Sequence, residues 1–196
     1  MKNTFNDNSL LSIDGHVIIK DPDSGKVLLD KHNAINFENM TVAIAYLLAN
    51  QSITGHFITD LHYGNGGTFI DGTGLISYRS PLVSGESGGL YNPTYTLKSV
   101  IADPTIDPDN SMSVITYTSN NYTDIVITST LNWDEPAGQS LTDTSSGDGV
   151  TDFIFDEIGL YTAAGTYLTH LIFHPIEKSA NRRIQIVYTI RIRAGN

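Results

Sequence analysis

Apolar and polar positions alternate along much of this chain, most clearly near its C-terminal end. Ile184, Ile186, Tyr188, Ile190 and Ile192 fall on one face; Arg183, Gln185, Val187, Thr189, Arg191 and Arg193 fall on the other. A period of two predicts a half-buried strand. At about 3.3 Å per residue it runs roughly 35 Å, long enough to leave edge or end surface for something to cover. Asp124–Trp133 and Ser113–Thr118 repeat the pattern, with Ile125, Ile127, Ser129 and Leu131 opposite Val126, Thr128, Thr130 and Asn132. Ser12–Lys20 and Lys26–Asp30 flank Asp21-Pro22-Asp23-Ser24-Gly25, whose Pro, Asp and Gly suit a tight turn, so the pair predicts a hairpin. Phe153–Tyr161 and Tyr167–His174, around Ala164-Gly165, predict another. Ile53–Tyr63 and Tyr95–Ile101 read as strands, and Thr68–Ser77 as a loop with a short strand.

One stretch has a different period. Over Asn36–Asn50, Met40, Ala43, Ile44, Leu47 and Leu48 share a helical face, with Asn36 placed as N-cap. The other side carries Val42, Ala45 and Tyr46, and no charge occurs from Thr41 to Asn50. A helix apolar nearly all round is expected to be buried on more than one side, by its own fold or by a neighbouring subunit. About eight to ten strands and a lone helix predict a mainly β fold, an antiparallel β-sandwich capped by one α-helix. Residues 1–11 read as a polar arm and residues 12–196 as a single domain.

Composition narrows the partners. The formal charge is −10 and only 16% of residues are charged. Nucleic acid and anionic membranes are therefore not expected as partners. Four of the eleven basic residues, Arg182, Arg183, Arg191 and Arg193, lie close in sequence, and with Val42 and Tyr46 they are the candidate interface residues. Such an arginine face is either a solvated or salt-bridged strand face or a contact to an acidic neighbouring subunit. With no cysteine, disulfides, thiolate metal sites and a Cys nucleophile are excluded. There is no apolar run of about 18 residues to span a bilayer, and Met1–Asn8 has no apolar signal core.

Catalytic and metal motifs are incomplete. Gly85-Glu86-Ser87-Gly88-Gly89 resembles the serine segment of chymotrypsin-like proteases, but His56 and Asp60 stand in unlike surroundings and no helix follows the serine. His170 and His174 share a strand face about 13 Å apart, too far to chelate one ion. Asp21–Gly25, Asp103–Asn110 and Asp143–Asp152 lack the full calcium-loop pattern and read as Asx and Pro-Asp turns. Gly64-Asn65-Gly66-Gly67 has no Lys-Ser/Thr pair and reads as a tight turn. No enzyme activity, cofactor or metal is expected.

An ordered set of segments carries a resemblance. Lys31-His32-Asn33-Ala34-Ile35 precedes Glu38-Asn39-Met40; Tyr63-Gly64-Asn65-Gly66-Gly67-Thr68 and Leu90-Tyr91-Asn92 follow. Then come Phe155-Asp156-Glu157-Ile158-Gly159-Leu160, Leu168-Thr169-His170 and Phe173-His174-Pro175. Together they resemble structural proteins of tailed-bacteriophage virions, especially those of contractile-tailed phages. The resemblance covers most of the chain and implies no catalytic residues. It implies a non-enzymatic subunit, assembled in the host cytoplasm into the virion with other virion proteins; the long edge-capable strand, the apolar helix and the polar arm suit a homo-oligomeric ring of its own copies. Neck or collar, tail, baseplate and head decoration all fit. The alternative is a receptor- or glycan-binding module that uses Thr68–Asn92 and Asp134–Gly149, with Trp133 or Tyr91 stacking on sugar.

Overall fold

The computed structural model describes residues 11–85, 88–137 and 153–194. Residues 1–10 of the expected arm, most of the loop Asp134–Gly149, and Glu86 and Ser87 of the serine-like segment lie outside them, and Leu11, expected in the arm, opens the first strand. The fold is the expected antiparallel β-sandwich; among the described residues it has two five-stranded sheets and one α-helix. The first sheet is built from β1 (Leu11–Lys20), β2 (Val27–His32), β8 (Asn110–Tyr117), β9 (Tyr122–Leu131) and β12 (Ile184–Ala194), in the order β2-β1-β12-β9-β8. The second uses β3 (Ala34–Ile35), β4 (Ile58–Gly64), β7 (Pro93–Tyr95), β10 (Ile154–Thr162) and β11 (Thr169–Glu177), in the order β3-β11-β10-β4-β7. A hairpin of β5 (Thr68–Ile70) and β6 (Ile76–Tyr78) stands outside both. Eight strands are long; the four short ones, of two or three residues, carry the total past the expected count.

In the first sheet the alternation sets the register. β12 pairs with β1 from Ala194↔Leu11 to Gln185↔Lys20, and with β9 from Arg193↔Tyr122 to Ile184↔Leu131, without a shift. That places Ile184, Ile186, Tyr188 and Ile190 in one row with Val17, Ile19, Ile127 and Leu131, all buried. Ile58, Leu61, Tyr63, Phe155, Ile158, Leu160, Leu171 and Phe173 of the second sheet meet them in the core. Two tyrosines bond across the layers: the hydroxyls of Tyr63 and Ser129 lie 3.0 Å apart, and the Asn33 amide donates to the Tyr188 hydroxyl. Asn33 is where the chain passes from β2 to β3, hence between sheets. Its side chain fills the place a Cβ would take at Gly15, 1.5 Å from Asn33 Oδ1.

Two expectations need correction. The helix α1 (Phe37–Leu48) has the expected N-cap, since Asn36 Oδ1 accepts the Asn39 N–H at 3.1 Å. However, only its first half docks. Met40 and Ala43 are buried, whereas Leu47 and Leu48, expected on the inner face, are 46% and 83% exposed. The anchors explain this. Asn36 N–H donates to the Leu168 carbonyl and Asn39 Nδ2 to the Tyr167 carbonyl, so the N-terminal turns are held to the second sheet. The second correction concerns Tyr95–Ile101. After β7 this segment bridges once to β4 (Asp60↔Ser99) and once to β8 (Ile101↔Ser111), lacing the two sheets together instead of forming one strand.

Candidate functional site

The most elaborated site lies on the outer face of the second sheet, where β10 carries Asp156 and Glu157 within an otherwise apolar run. A register shift between Phe155 and Glu157 lets both neighbouring side chains reach the same loop. Asp156 accepts the Gly67 and Thr68 N–H groups, each at 2.8 Å, and the Thr68 hydroxyl. Glu157 is fully buried. Its Oε1 accepts the N–H groups of Gly66 (3.1 Å) and Asn92 (2.8 Å); its Oε2 accepts Tyr91 N–H (2.9 Å) and faces His170 Nε2 at 2.9 Å. The loop must come close for this: a Cβ at Gly64 would lie 2.5 Å from the Asn92 carbonyl oxygen.

The second ring nitrogen of His170 fixes its tautomer. Leu82 N–H donates to Nδ1 at 2.8 Å, so the ring proton on Nε2 points at Glu157. Burial alone raises the Glu157 pKa, but the bonds from His170, Asn92, Tyr91 and Gly66 outweigh it and hold the carboxyl below its usual 4.5. Glu38 accepts the Gly85 N–H at 2.6 Å and Asn36 Nδ2 donates to the Gly85 carbonyl at 3.2 Å, tying the same loop to the helix start. Every carboxylate oxygen of the pair and both nitrogens of His170 are thus engaged by the protein itself. Such a group clamps loops to the sheet.

The clamp is made from the segments that carry the resemblance: Tyr63–Thr68, Leu90–Asn92, Phe155–Leu160 and Leu168–His170. Their separation in sequence concealed their convergence. The available signal was an acidic pair inside an apolar strand, flanked by Phe155 and Ile158.

Other candidate residues are occupied locally. Asp21 accepts from Asp23, Ser24 and the Ser24 hydroxyl, and Asp103 and Asp107 close similar Asx turns. Among the described residues no three His, Asp or Glu come together to hold a metal ion. His174 Nδ1 lies 3.2 Å from the Tyr78 hydroxyl, apart from the His170 clamp. Of the two proposed sugar platforms, Tyr91 has the Arg79 guanidinium 4.9 Å from its ring centre and Trp133 has Arg183 at 5.5 Å.

The candidate interface residues occupy separate regions. Arg182 and Arg183 precede β12, where Arg182 donates to the Glu177 carbonyl and Arg183 pairs with Asp23 at 2.5 Å. Arg191 and Arg193 lie toward the far end of β12. Arg191 holds the buried Asp124 with two bonds of 2.8 Å and sits 3.9 Å from the Tyr122 ring centre, with Arg193 at 5.9 Å. Val42 and Tyr46 are 42% and 38% exposed, so the fold does not bury them; Tyr46 stacks on His56 at 4.5 Å. Leu48, Ile53 and Phe57, at and after the helix C-terminus, are exposed as well, so that corner of the fold is rich in exposed apolar side chains. Among the described residues no helix is long and apolar enough to cross a membrane. Comparison of the chain with family models, curated proteins and solved structures finds no match.

Proposed function

We propose that this protein is a non-enzymatic structural subunit of a tailed-phage virion, a ring-forming neck, tail or baseplate component that assembles through protein contacts. The observation that carries the reading is the uncharged apolar corner at the end of α1. Leu48 is 83% and Ile53 97% exposed, in a chain whose acidic surface otherwise favours water. A neighbouring copy that covers this corner removes apolar area from water without bringing like charges together. The resemblance supplies the virion context, and its residues form the loop clamp.

The test is size-exclusion chromatography with light scattering on the wild type and on a Leu48→Asp, Ile53→Asp double variant. A closed oligomer is expected for the wild type, and a folded species clearly smaller than that oligomer for the variant. A wild-type monomer at high concentration counts against the ring; equal assembly of both proteins counts against this corner.

The receptor- or glycan-binding reading has one observation in its favour. A shallow groove on the outer face of the second sheet is lined by Asp60, His62, Tyr161 and Tyr167, with His62 and Tyr161 stacked at 4.2 Å. Selective binding on a glycan array, lost in Tyr161→Ala, would favour it.

A further inference from the structure

The edges of the two sheets are not treated alike. In the second sheet β3 and β7 are only two and three residues long. In the first, β2 carries Asp30 and Lys31, and its pairing with β1 is shifted by an irregularity at Ile19/Lys20. Short strands, charges and bulges are the means by which natural sheets avoid joining other chains. β8 has none of them. Its sequence Asn110-Ser-Met-Ser-Val-Ile-Thr-Tyr117 contains no Lys, Arg, Asp, Glu or Pro, and it pairs with β9 from Asn110↔Ser129 to Tyr117↔Tyr122 without a shift.

The open part of this edge can be located. Met112 N–H donates to the Ile101 carbonyl at 2.7 Å and Ile101 N–H donates to the Asn110 carbonyl at 3.1 Å, so the even-numbered residues point away from β9. Those two bonds cover the first half of β8. By the same alternation, the N–H and C=O of Val114 and Thr116 face outward, and among the described residues nothing pairs with them. Around them Val114 is 68%, Ile115 40% and Tyr117 39% exposed.

We propose that this edge pairs with the same edge of a second copy, antiparallel about a two-fold axis through Ile115. The partner follows from charge and register. In a chain of net charge −10, a second copy approaches most easily along a strand without charge. An axis at Ile115 sets Val114 opposite Thr116 of the partner subunit and the reverse, so all four outward backbone groups on each strand are satisfied. An axis at Val114 would need Met112, whose N–H is taken by Ile101; an axis at Thr116 would need Thr118, where the chain has turned into a 3-10 segment. The chosen register brings Ile115 against Ile115 of the partner subunit and gives a continuous ten-stranded sheet, twice the five of one copy. This contact rests on the self-assembling reading only in that its partner is a second copy; it is separate from the helix corner and independent of any virion.

The chain has no cysteine, so a single introduced thiol reports the register cleanly. Residues facing each other in a non-hydrogen-bonded antiparallel pair have Cα atoms about 4.5 Å apart, within disulfide range. Ile115→Cys under mild oxidation is expected to give a covalent dimer of twice the 21.4 kDa chain on a non-reducing gel. Ser113→Cys, two residues off the axis, is expected to stay at least tenfold less cross-linked. Ile115→Lys, which sets two like charges face to face, is expected to abolish the two-fold contact while keeping the native circular dichroism spectrum. Equal cross-linking at both positions means random collision and overturns the proposal. So does the absence of a covalent dimer at Ile115→Cys. A larger assembly without the Ile115 link overturns this contact alone; the link without a larger assembly overturns the ring alone.

Discussion

The two sheets reach order by different means. In the first, side-chain alternation is enough: Val17, Ile127, Ile186 and Tyr188 all lie in one buried row, and ten-residue strands keep register. In the second, registers shift at Tyr63/Gly64, Phe155/Glu157 and Tyr161/Thr162, and buried acids hold loops to the sheet's outer face. The lesson is that a short, irregular sheet can be kept single-valued by hydrogen bonds that only one loop arrangement satisfies. A long regular sheet needs no such device, and among the described residues it leaves the second half of β8 unpaired.

The strongest way to break this contrast is Glu157→Ala. It strips four partners of their acceptor in a buried site, and a loss of about 3–5 kcal/mol is expected from urea unfolding. Hydrogen exchange should speed up first at Gly66, Tyr91 and Asn92, while β1 and β12 stay protected. A cost near zero, or loosening spread evenly through both sheets, would end the distinction. Next comes Gly64→Ala. The added methyl meets the Asn92 carbonyl at 2.5 Å, and about 1–3 kcal/mol is expected. At Gly72, where nothing lies within 4 Å, the same change should stay within about 0.5 kcal/mol in thermal unfolding.

Acid sharpens the comparison further. The Glu157 pKa is depressed by its donors, so the native state binds this proton more weakly than the unfolded chain. Its stabilisation is complete above the usual 4.5 and is lost as pH falls through the lower native value. In a series of melts on the acid side, Glu157→Gln should flatten that fall. An unchanged slope would assign acid sensitivity elsewhere. A smaller effect than at Glu157 or Gly64 is expected for Tyr63→Phe. It removes only the bond to Ser129 across the layers, and about 1 kcal/mol is expected in chemical denaturation. A much larger loss would mean the sheets depend on each other more than their separate construction suggests.

Legibility followed the same division. β9 and β12 could be read directly, because a half-buried strand writes its period into the sequence. β10 could not. Its outer face is covered by the loop holding Leu82 and Tyr91, so Phe155 through Leu160 are buried without alternation. The clamp was less visible still. Glu157 meets donors 65, 66 and 91 residues away, and no spacing rule spans such gaps. For the helix, composition revealed an apolar surface all round, and Asn36 its start. It did not reveal that docking stops near Ile44, because the anchors are backbone carbonyls of Tyr167 and Leu168.

The central pair of the first sheet has a consequence for synthesis. β1 and β12 are neighbours in space, yet they bracket nearly the whole described chain. While the ribosome is still adding residues before Ile184, β1 has only β2 beside it, and β9 only β8. Two hairpins with exposed apolar rows must wait until the last strand slides between them. Completion of this sheet is therefore tied to the eleven residues of β12. A ribosome that stalls before it leaves two half-sheets, not a smaller version of the fold.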